Sequence, residues 1–157
     1  VTLDEQIDNI EFELNKLMMR DHITAKTWFT DIDKPLIQYP STLFMLRSAE
    51  RNDMQVVQNS NQLAWDLEYD VYCLYSSIEG LNKFTHSRKF VDAIYNQLQS
   101  QHASGKMLNC ACFNLECVNI EYGIVTLDQL KTTTVSGGVI KLIIQVFEQF
   151  ETRGNVK

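Results

Sequence analysis

The chain has 157 residues, 45% of them hydrophobic and 22% charged, a composition that suits one globular domain over 1–157 and excludes disordered, collagen-like and coiled-coil sequence. Fourteen Lys and Arg against twenty Asp and Glu leave a formal charge of -6, which argues against a nucleic-acid grip built on phosphate neutralisation. No stretch reaches the roughly 18 apolar residues of a membrane-crossing helix, and residues 1–20 are amphipathic rather than basic and then apolar, as a signal peptide would be.

The first predicted element is a helix. Thr2 is placed to cap it, Glu5 completes a capping box, and Leu3, Ile7, Ile10, Leu14, Leu17 and Met18 form one apolar stripe. Asp4, Asp8, Glu11, Asn15 and Lys16 lie opposite, so the helix is expected to rest on a sheet or a neighbouring helix. Thr27 to Ile32 reads as a short strand or a loop, ended by polar residues and Pro35. After Tyr39-Pro40, Ser41 to Ser48 is nearly continuously apolar and predicts a strand buried on both faces, followed by a polar turn region from Ala49 to Asn61.

The clearest strand comes next. Leu63, Trp65, Leu67, Tyr69, Val71 and Cys73 alternate with Gln62, Ala64, Asp66, Glu68, Asp70 and Tyr72, which predicts one core face and one acidic face. Ser76 to Lys83 reads as a loop, and Val91, Ile94, Tyr95 and Leu98 predict a second helix over Ser87 to Gln101. Between Asn109 and Val125 the alternation changes phase at Cys117 and Val118, as a β-bulge would cause. Thr126 to Ser136 is a polar connection, Gly137-Gly138 a hairpin hinge, and Val139 to Phe150 the last strand. The order α-β-β-α-β-β predicts an α+β fold, an antiparallel sheet of about four strands packed with two helices.

Motifs for chemistry are sparse. Gly137-Gly138 lacks the Lys-Ser/Thr of a phosphate-binding loop, and the three histidines, His22, His86 and His102, form no H-E-x-x-H pair. Cys110 and Cys112 lack a second cysteine pair at zinc-binding spacing, so the four cysteines, Cys73 and Cys117 included, are expected as reduced, buried small hydrophobes. Asp66, Glu68 and Asp70 share one strand face and invite comparison with a divalent-cation nuclease site, but the neighbouring lysine such sites use is expected to be missing. A solvated or channel-facing stripe, or intersubunit salt bridges, suits them better. Trp65, Tyr69 and Tyr75 share the apolar parity and are expected in the core rather than under stacked bases, with Tyr72 alone opposite. Lys83, Arg88 and Lys89 read as a solvated helix start.

The succession resembles the tail-terminator or tail-completion proteins of long-tailed bacteriophages, with the related head-to-tail joining proteins. The resemblance rests on the amphipathic helix Thr2 to Arg20, the start Tyr39-Pro40-Ser-Thr-Leu-Phe-Met-Leu46, and the strand Leu-x-Trp-x-Leu-x-Tyr-x-Val-Tyr from Leu63 to Tyr72. The helix from Ser87 and the closing strand Gly138-Val-Ile-Lys-Leu-Ile-Ile-Gln-Val-Phe147 complete it, over about residues 1 to 150. It implies a non-enzymatic virion protein without cofactor or metal, assembled in the host cytoplasm and placed at the tail and neck. The implied partners are further copies in a sixfold ring, the tail tube protein and a neck or connector protein, with DNA passing through the lumen without specific binding. Under it Asp66, Glu68 and Asp70 are candidates for the lumen or an intersubunit edge. Asp128, Gln129, Lys131, Thr132 and Thr133 in one loop, and Asp53 and Gln55 in another, are candidates for ring contacts. The competing readings are a small metal- or ligand-binding α+β enzyme domain and another neck or adaptor ring protein.

Overall fold

The computed structural model describes residues 2–20, 24, 26–29, 39–52, 62–77, 83–104, 112–125 and 135–149. Helices α1 (Leu3–Met19) and α2 (Lys83–Ser104) accompany strands β1 (Lys26–Trp28), β2 (Ser41–Arg51), β3 (Gln62–Ser77), β4 (Cys112–Val125) and β5 (Val135–Gln149). The sheet order is β1-β2-β3-β5-β4. The four long strands pair antiparallel throughout, so the α+β fold holds, with the order α-β-β-α-β-β for the helices and these four strands. The start of the run from Thr27, with Lys26 before it, forms a fifth, three-residue strand, Lys26–Trp28, parallel to the start of β2.

The helix α1 forms where the capping pattern places it, with the Thr2 hydroxyl accepting from the Glu5 N–H at 3.2 Å. Its last turn is closed from outside the helix. The Gln97 amide donates to the Leu17 carbonyl at 3.1 Å, beside the Arg20 backbone N–H that caps the same carbonyl, and the Thr24 hydroxyl donates to the Met18 carbonyl at 3.2 Å. Thr24 lies 3.4 Å from the Thr27 hydroxyl, which accepts from Thr42 at 3.2 Å. A chain of hydroxyls thus ties the helix end to β1 and β2.

Both helices pack on one face of the sheet. Ile10, Leu14, Leu17 and Met18 of α1 and Phe90, Val91, Ile94 and Leu98 of α2 meet Leu67, Tyr69, Val71 and Cys73 of β3 and Ile140, Leu142, Ile144 and Val146 of β5. Phe44 stacks on Phe29 with centroids 5.2 Å apart and meets the Tyr69 ring edge-on at 6.4 Å. Trp65 and Tyr75 pack against this cluster, as their parity indicates. A second, smaller cluster of Leu43, Tyr72, Leu74, Val125 and Val135 lies apart from it.

Several boundaries move. The strand β2 is buried only over Ser41–Phe44; it continues through a bulge at Leu46/Ser48 to Arg51, with Met45 and Ser48 half-buried and the other residues exposed. β3 runs on to Ser77, because pairing with β5 through a bulge at Leu74/Ser76 carries it past the expected loop. The helix α2 extends one turn beyond Ser87 at its start. In β4 the phase change lies where the sequence indicates, as a register shift between Cys117 and Asn119.

The glycine pair is not a hinge. Gly137 and Gly138 sit inside β5, which already begins at Val135. A Cβ on Gly137 would collide with the Cys73 carbonyl oxygen, and one on Gly138 with the Glu121 carbonyl oxygen. Their role is close approach of three backbones beside the bulge of β3.

Candidate functional site

The stripe Asp66, Glu68 and Asp70 lies on the sheet face opposite the helices, and each acid already has a partner. The Arg47 Nε donates to Asp70 at 2.8 Å. The Lys141 Nζ stands 2.8 Å from Glu68. Asp66 accepts from the side-chain amides of Gln145 at 2.8 Å and Asn52 at 3.1 Å, and Gln145 in turn accepts from Asn114 at 2.9 Å. Arg47 also donates to the Tyr72 hydroxyl and lies with its guanidinium carbon 5.7 Å from that ring's centre. The stripe is therefore one row of a ladder across β2, β3, β5 and β4 in which cations and amides answer carboxylates. The side-chain bond to Asp70 raises the Arg47 pKa, and that to Glu68 raises the Lys141 pKa.

Sequence reading missed these partners. Lys141 lies beyond α2 and β4 in the chain, yet antiparallel pairing sets it opposite Asp70. Its signal was present: Lys141 and Gln145 share one parity in a strand whose other parity, Ile140, Leu142, Ile144 and Val146, is wholly buried. The expectation that a neighbouring lysine is missing is thus corrected: β5 supplies Lys141, which pairs with Glu68.

A groove of about 430 Å³ adjoins the ladder, lined by Asp70, Tyr72, Asn119, Glu121, Ile124, Val125, Val139 and Lys141. Its two cationic or anionic neighbours from the central strands, Lys141 and Asp70, are engaged with Glu68 and Arg47. Among the described residues no three His, Cys, Asp or Glu side chains come together as a metal site. Cys73 is fully buried, and desolvation pushes its thiol up; desolvation and then Glu116 push Cys117 up to about 12. Both are poor nucleophiles near neutral pH. Nothing is described of Cys110, nor of the Cys112 side chain.

The open edge of β4 is the other notable feature. The strand pairs with β5 on one side, and among the described residues no strand lies on its other side. It exposes Val118 by 46%, Tyr122 by 50% and Ile124 by 60%. The Tyr122 hydroxyl donates to Asp92 of α2 at 2.6 Å, which holds its ring over the helix side of the edge. The loop candidates Asp128, Gln129, Lys131, Thr132, Thr133, Asp53 and Gln55 lie outside the described residues.

Compared with known proteins, the chain matches no family model and no curated protein.

Proposed function

We propose that the protein is a structural virion subunit that forms a ring at the head-proximal end of a phage tail, ends tube polymerisation there and joins the tail to the neck. Its placement in a phage tail rests on the order of elements and motifs set out above. The observation that carries the assembly itself is the β4 edge, which is 14 residues long and exposes three large apolar side chains. Protein edges are normally guarded by shortness, charged side chains, Pro or bulges, because they invite another strand. β4 has no Lys or Pro and is long, although it carries Glu116, Glu121 and two register shifts.

Under this reading the chain works by surface complementarity with further copies of itself, the tail tube protein and a neck protein, while DNA passes through the lumen without being gripped. Negative-stain electron microscopy and native mass spectrometry of the purified chain, alone and mixed with tail tubes, test it. Sixfold rings, free or capping tube ends, are expected. Chains that stay monomeric at high concentration and ignore tube ends would refute it, and would turn attention to the groove beside Lys141 as a ligand site.

A further inference from the structure

We draw no further inference here: the strongest candidate, the groove of about 430 Å³ between β3, β5 and β4 beside the charged ladder, has its Lys141 and Asp70 already engaged by Glu68 and Arg47, and nothing in the structure shows what fills it.

Discussion

Glu148 fastens the first helix to the sheet, and its removal offers the sharpest test of how α1 is held. Near the end of β5, one of its carboxylate oxygens accepts from the Leu3 backbone N–H at 3.2 Å, the other from the Trp65 indole at 3.0 Å. Leu3 is the first residue of α1, so the carboxylate also faces the positive end of the helix. The adjacent Phe147 carbonyl accepts from the Gln6 amide at 2.9 Å, which doubles the attachment. Hydrogen bonds to a charged group contribute about 1.5–3 kcal/mol, and a carboxylate at a partly buried helix start up to about 2 kcal/mol. These contributions overlap, so Glu148→Ala is expected to destabilise the fold by about 2–4 kcal/mol. Glu148→Gln, which keeps one acceptor and loses the charge, should cost about half as much. At this chain length the alanine variant should melt roughly 5–15 °C lower. Urea unfolding followed by tryptophan fluorescence measures the loss, and amide exchange over residues 3–10 should rise with it. A loss below about 0.5 kcal/mol for Glu148→Ala, with unchanged exchange in the first turn, would show that the clamp contributes nothing.

Two glycines should respond to alanine for different reasons. At Gly137 the new Cβ meets the β3 backbone, so Gly137→Ala is expected to cost more than about 3 kcal/mol or to prevent folding. At Gly123 there is open space but φ is +121°, so Gly123→Ala should cost only about 1–3 kcal/mol, and equal losses in urea titrations would contradict this assignment. Burial, then Asp8, raises the Glu11 pKa above 4.5, against the opposing hydrogen bond from Tyr69. A raised carboxyl favours the folded state while protonated, and that contribution is lost as pH climbs through the folded value; Glu11→Gln should therefore flatten the stability profile just above pH 4.5, and an unchanged slope would exclude the effect. Cys73, which is buried, and half-buried Cys117, whose thiol is pushed up to about 12, should resist iodoacetamide at pH 7 until urea unfolds the chain, and peptide mapping that found either alkylated in the native state would contradict this reading.

Much of this fold is written locally. The Thr2 cap, the stripe through α1 and the alternation from Leu63 to Cys73 depend on spacing within one element, and all appear in the structure. The bulge beside Val118 was legible for the same reason, since a register shift leaves its mark on the strand that bears it. What was misjudged depends on partners. Val135 and Ser136 look like the end of a Thr-rich connection, but Ser77 and Ser76 pair with them and draw them into β5. Gly137-Gly138 carries the signature of a hinge, and only the approach of the Cys73 and Glu121 carbonyls shows why side chains are missing there. The later half of β2 has no neighbour on its outer side among the described residues, and polarity in a short window does not distinguish a loop from an exposed strand.

The same dependence on partners changes what the acidic stripe can do. Three carboxylates in a row suggest a surface that repels phosphate, and a lumen lined by them would let DNA slide. Within one copy, however, Arg47 and Lys141 stand 2.8 Å from Asp70 and Glu68, so the field of the row falls off quickly. Two exposed ion pairs contribute little to stability, on the order of 0–1 kcal/mol each. Their larger effect is geometric, because each pair joins β3 to a neighbouring strand and fixes the side chains in extended positions along the sheet. A lumen formed by this face would present alternating charges and amides rather than a uniform negative wall. Further along the sheet Glu116 and Glu121 of β4 are exposed, so on this side the acids lie toward the edge strand as well as along the row.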